Sequence, residues 1–201
     1  MRTPKIHQLY SLIDLVDTNH NTNFKKWPLN INPPISDSWL AGFIDADGCF
    51  LIIPSTLETS KKERISCSFV IEQRLVDPKS NEDYFPILNQ IANLFSTKLL
   101  ITNRNYYRIN STGWNSIKQV MNYIEKLNLR SSKYLDSLDR IVAAKIIIDD
   151  KHYTLEGKKK MDLLKNRMNR NRTIINWKHL DKYWFLYELP LNLILQEMPF
   201  I

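Results

Sequence analysis

The sequence predicts an α+β fold: a four-stranded antiparallel sheet with helices on one face and a basic, open opposite face. Three observations predict it. Two pairs of short strand-like runs are each followed by a helical pattern, which gives two hairpins backed by helices. The helical pattern that leads into the first strand-like run stops at a glycine. Hydrophobic residues make up 43% of the 201 positions, enough for a packed core.

Taken in order, residues 4–16 form a helix with Ile6, Leu9, Tyr10, Ile13 and Val16 on one face. Residues 19–34 are rich in Asn and Pro and read as a linker. Ser36 or Asp37 can cap a helix over residues 38–47, with Gly48 as its C-terminal breaker. Residues 49–55 are an apolar strand. Residues 65–73 alternate, with Ile65, Cys67, Phe69 and Ile71 inward, and the polar stretch 56–64 suits an exposed hairpin tip. Residues 83–95 form a helix with Phe85, Leu88, Ile91, Leu94 and Phe95 inward and Pro86 in its first turn.

Residues 98–102 and 106–110 make the second hairpin, joined by Asn103, Arg104 and Asn105. Helices follow over 114–127 and from a cap at Ser131 or Ser132 to residue 148. Residues 158–172 are basic and partly helical. Residues 176–187 complete the pattern with an aromatic helix bearing Trp177, Tyr183, Trp184 and Tyr187. The expected organisation is an N-terminal helix and linker (1–37), a core domain (38–150) and a basic helical extension (151–201).

The net charge of +7 favours an anionic partner: nucleic acid, an acidic membrane surface or an acidic protein. No apolar run has the length of a membrane span, so a membrane-embedded protein is not expected. Cys49 and Cys67 lack metal-ligand spacing and read as buried free thiols, which fits a reducing compartment. The opening residues carry neither a hydrophobic signal core nor an Arg- and Ser-rich presequence. With plentiful Asn, Ile, Lys and Tyr, this makes an organelle-encoded protein the expectation, in the mitochondrial matrix first and a plastid second.

The open sheet face offers Ser66, Ser68, Arg74, Arg104, Tyr107 and Arg108 as nucleic-acid contacts, since alternate strand positions can reach base edges in a major groove. The extension adds seven cations in fifteen residues, among them Lys158, Lys159, Lys160, Arg167, Arg170 and Arg172, with Asp162 as the single acid. Such a run can neutralise phosphates.

The informative stretch runs from Trp39 to Phe50. On a helix, Gly42 and Ala46 share a face, as do Ala41 and Asp45. Small residues at this spacing let two helices approach closely and bring their C-terminal ends together. Asp47 would then stand at each end, where the helix dipole and a second carboxylate both disfavour its charge. A divalent cation such as Mg²⁺ relieves both, and carboxylate–metal pairs can drive phosphodiester hydrolysis. Taken alone, Asp45 and Asp47 read more readily as solvated turn residues before Gly48.

The nine residues from Leu40 to Gly48, Leu-Ala-Gly-Phe-Ile-Asp-Ala-Asp-Gly, resemble the motif of the LAGLIDADG homing endonucleases and intron maturases, with Phe43 as one conservative change. The resemblance covers about residues 38–148, and the element order is similar to the family's αββαββα core. It implies Asp47 as metal ligand and catalytic residue, with the Ala46 carbonyl also facing Mg²⁺. It implies that Gln73 orients catalytic water, that Lys133 is a catalytic lysine, and that Ala41, Gly42, Asp45 and Ala46 serve motif-helix packing, Asp45 also capping.

The segments before the motif, with the linker, and the distal Asn171 to Trp177 look like the second half of two-motif members encoded in mitochondrial introns. A single motif implies a homodimer, or pairing with a separate half. Three readings follow: a sequence-specific Mg²⁺-dependent DNA endonuclease acting on double-stranded DNA; a maturase binding structured group I intron RNA; or an inactive member built into an organellar ribosome or other large assembly.

Overall fold

The computed structural model describes residues 1–55 and 64–181. The expected hairpin tip over 56–64, apart from Arg64, and the second half of the aromatic helix expected over 176–187 lie outside those residues. Six α-helices are described: α1 (Ile6–His20), α2 (Trp39–Asp47), α3 (Phe85–Leu94), α4 (Trp114–Lys126), α5 (Lys133–Ile148) and α6 (Leu155–Asn166). The strands are β1 (Gly48–Ser55), β2 (Arg64–Arg74), β3 (Leu99–Ile101) and β4 (Tyr106–Ser111). They form one antiparallel sheet in the order β1-β2-β4-β3, as the two-hairpin reading requires.

Register divides the sheet into two faces, because directly opposed residues point the same way. Phe50 opposes Phe69, Ile52 opposes Cys67, and Ile71 opposes Ile109. These six are buried in one core with Leu40 and Ile44 of α2, Ile91 of α3, Ile124 of α4, Ala143 of α5, and Met161 and Leu164 of α6. Phe50, Phe69, Phe95 and Tyr123 form a chain of aromatic contacts, with ring centroids 5.0–6.0 Å apart. Rings at that spacing add directional contacts to simple burial. Phe85 is the exception to its expected face. It starts α3 at the rim and is half exposed, while Leu88, Ile91 and Phe95 point inward.

Gly48 ends α2 for a different reason from the one expected. Its backbone is extended (φ −71°, ψ 151°), not left-handed. A Cβ there would lie 2.7 Å from the Ile44 carbonyl oxygen and 2.9 Å from its Cγ2. Glycine is required because the turn from α2 into β1 passes directly against the helix.

Helix α1 packs more loosely than its pattern suggests. Ile6 is buried, but Leu9, Leu12 and Leu15 are exposed. The linker folds back along it: the Tyr10 hydroxyl donates to the Trp27 carbonyl and Asp17 accepts from the Phe24 amide at 3.1 Å. No described helix is long and apolar enough to cross a membrane.

Candidate active site and nucleic-acid interface

Helix α2 carries two kinds of residue, sorted by period. Leu40, Ala41 and Ile44 face the core, while Gly42, Ala46 and Asp47 are exposed. Nothing lies within 4 Å of a Cβ placed on Gly42, so that side of the helix is open. A groove of about 370 Å³ runs along it, lined by Trp39, Gly42, Phe43, Ala46, Asp47 and Gln73 among others. Trp39 and Phe43 stack at 5.0 Å beside it.

Of the residues expected in motif-helix packing, Ala41 and Asp45 point into this chain, and Asp45 serves there as the cap that was also expected of it. Ala41 is buried in the core. The Asp45 carboxylate accepts from the Arg130 amide at 2.7 Å and from the Ser131 amide at 3.3 Å. The Ser131 hydroxyl also donates to Asp45 (2.5 Å) and accepts from the Lys133 amide at 3.1 Å. Asp45 thus satisfies amides ahead of α5 that would otherwise lack partners.

The three residues expected to be catalytic come together. Gln73 Nε2 donates to Asp47 Oδ2 at 3.1 Å, and its Oε1 accepts from the Arg74 amide at 3.3 Å. Lys133 Nζ donates to the Ala46 carbonyl at 2.8 Å and to the Ile44 carbonyl at 3.3 Å. Burial pulls the Lys133 ammonium below its usual range, opposed by the nearby carboxylates of Asp45 and Asp47 and by Cys49. Burial raises the Cys49 thiol, which sits beside Lys133 and Asp136. A lysine at the C-terminal carbonyls of α2 complements the helix dipole, and leaves Asp47 exposed at the tip.

The donor set suits a hard cation. Asp47 and the Ala46 carbonyl offer only oxygen, and a carbonyl bonded once by Lys133 keeps a second lone pair. Among the described residues no three His, Cys, Asp or Glu side chains form a metal cage. Among the described residues, the exposed carboxylate at the tip of α2 is that of Asp47.

The sheet face opposite the helices carries Ser66, Ser68, Val70, Glu72 and Arg74 of β2, and Tyr106, Arg108 and Asn110 of β4, by strict alternation with the core positions. Glu72 is paired with Arg104 at 3.2 Å and Arg108 at 3.6 Å, so the basic face has an acid at its centre. Ser66 and Arg74 are exposed, whereas Ser68 is buried among its neighbours with its hydroxyl unpartnered.

Tyr107 does not lie on this face. It opposes Gln73, is buried under the helices, packs on the Phe85 ring and donates its hydroxyl to Asp83. Consecutive strand residues cannot share a face, so naming Tyr107 with Arg108 broke the period of two. The same period finds the residue that was missed, Asn110, whose Oδ1 is buried without a partner on the open side.

The basic extension divides. Lys159 and Lys160 are exposed on the helix layer, where they border a groove with Val142, Ile146 and Leu163, and Arg170 is exposed as well. Lys158 is half-buried. Arg172 is the clear correction: its guanidinium is buried on Asp136 and Asp139, so it is not available to phosphate. Arg167 is also tied to Asp139.

Fold and site together define a class: an antiparallel sheet open on one side, with an exposed motif helix whose tip carries a carboxylate, an amide and a lysine. The LAGLIDADG endonuclease family model matches residues 40–144, and the chain belongs to that family. It is 29% identical to the intron-encoded DNA endonuclease aI3 of Saccharomyces cerevisiae, over 90% of this chain and 52% of that protein. The chain thus spans about half the length of that relative. It is 34% identical to the probable intron-encoded DNA endonuclease aI1 of Mycosarcoma maydis, over 47% of this chain and 82% of that protein. The fold also matches the I-SmaMI LAGLIDADG homing endonuclease bound to cleaved DNA, with a TM-score of 0.60 and 24% identity over 79% of this chain and 52% of that one.

Proposed function

We propose that the chain is a sequence-specific DNA endonuclease of mitochondrial intron origin, active when its motif helix pairs with a second one. The observation that carries this reading is the convergence of Asp47, Gln73 and Lys133 at the exposed tip of a helix whose open side bears Gly42 and Ala46. The relatives named as intron-encoded DNA endonucleases support the substrate class and the origin. The greater length of the Saccharomyces cerevisiae relative supports pairing with another half as an alternative to a homodimer.

Each residue has a task in this reading. Two Gly42–Ala46 surfaces pack together and bring two Asp47 carboxylates to one place. Gln73 holds Asp47 by one side-chain atom and the Arg74 amide by the other, which fixes the carboxylate's orientation. Lys133 places positive charge where a scissile phosphate would meet the helix tip. Asp47 and the Ala46 carbonyl would hold Mg²⁺, which supplies Lewis-acid stabilisation of the reacting phosphate oxygens when bound. Arg74, Arg108, Ser66 and Asn110 face the duplex from the sheet.

Incubation of the full chain with a randomised duplex library and Mg²⁺ tests the proposal. Double-strand ends at one recovered sequence are expected. Intact duplex together with selective binding of intron RNA would overturn it in favour of the maturase reading.

A further inference from the structure

The residues around Lys133 are held from outside α5. Ser131 is fastened by Asp45 of α2. Tyr134 stacks on the His179 ring at 4.3 Å. Asp136, one turn beyond Lys133, accepts from Arg172 Nε at 2.8 Å, and the same guanidinium bonds Asp139 at 2.7 Å. Asn169 donates to the Phe50 carbonyl at 2.9 Å and meets the Cys49 thiol at 3.4 Å, next to Lys133. All of the contacts from 167–179 come from beyond the stretch that the family model matches.

Asp136 and Asp139 are buried acidic side chains on one helix face, and one guanidinium, that of Arg172, ties both. Arg172 bridges both with its planar fork, which a lysine cannot reproduce.

We propose that residues 167–179 form a clasp that positions Lys133, with Arg172 as the positioning residue acting through Asp136. This rests on the reading of Lys133 as part of the phosphodiester site, but its test needs no cleavage.

The test is reductive methylation of the folded full chain by formaldehyde and cyanoborohydride, with each lysine followed by mass spectrometry. In the unaltered chain Lys133 is protected by its bonds to the Ala46 and Ile44 carbonyls, while exposed Lys159 and Lys160 serve as internal references. In Arg172→Met the Lys133 rate is expected to rise roughly tenfold relative to those references, as for a locally opened segment, with Arg172→Lys giving partial protection.

An unchanged Lys133 rate in folded Arg172→Met would overturn the proposal. So would an equal rise at every protected lysine, since that marks general loosening. Should Arg172→Met fail to melt cooperatively, Asn169→Ala decides by the same comparison: a selective rise at Lys133 supports the clasp and no rise overturns it. Where the unaltered chain cuts DNA, Arg172→Met should slow cutting without weakening binding. Absence of cutting by the unaltered chain would sink the endonuclease reading and leave the labelling result standing.

Discussion

Lys133 Nζ donates to the Ala46 carbonyl at 2.8 Å, one residue before Asp47, across 87 positions of sequence. The start of α5 is thereby fastened to the end of α2. A positive charge meets the helix's negative pole, and two residues of the proposed reaction share one place. Lys133→Met should leave duplex affinity within a few-fold and lower the cleavage rate ~100-fold or more, the usual effect of removing one aligned charge or donor. Single-turnover cleavage beside equilibrium binding separates the two effects.

The open side of α2 gives a prediction about association. A Cβ at Gly42 meets nothing within 4 Å in this chain, and leucine favours a helix over glycine, so the thermal midpoint of Gly42→Leu should not fall. The leucine would, however, fill the space that a second helix needs. Sedimentation should show a pair for the unaltered chain and a monomer for the variant; a Gly42→Leu chain that still pairs would remove this surface from the interface.

Gly48 gives the opposite result. A methyl group there meets the Ile44 backbone at 2.7 Å and the Phe69 ring at 3.1 Å, so the turn itself must shift. Gly48→Ala should cost ~1–3 kcal/mol, as overpacking does, read as a lower urea midpoint at constant slope.

Asp77 sets a pH dependence. Its carboxylate accepts from the Ser80 amide and, more weakly in effect, the Lys79 amide and the Tyr84 hydroxyl, which lower its pKa from 3.8 against the opposing effect of burial. A folded value below the unfolded one means that the stabilisation is fully present above the unfolded value. It is lost as pH falls through the folded value. Asp77→Asn should therefore lower the urea midpoint near pH ~7, and the gap to the unaltered chain should narrow near pH ~3. A gap independent of pH would contradict this.

The fold was legible because its signals are local. Alternation over 65–73, the Asn-rich turn before Tyr106 and the apolar stripes of α3 and α4 each report one element, and two hairpins leave few ways to assemble them. The proposed site was legible only through the nine-residue motif, since neither Gln73 nor Lys133 is near Asp47 in sequence. What could not be read were long-range pairings. Which amides Asp45 caps, those of Arg130 and Ser131, depends on the fold, and the removal of Arg172 from the phosphate-binding set depends on Asp136 and Asp139 lying opposite. A run of cations carries no mark of which ones are already paired. Tyr107, by contrast, was readable, because its parity in β4 assigns it to the core.

Cleavage of the duplex recovered from the library, by the unaltered chain and by Asp47→Asn side by side in Mg²⁺, is the most direct test of the central claim. The expected result is defined double-strand ends from the unaltered chain and none from Asp47→Asn, with both binding the duplex alike. Equal cutting by the two, or none by either, would contradict the assignment of Asp47 as the carboxylate of a DNA-cleaving site.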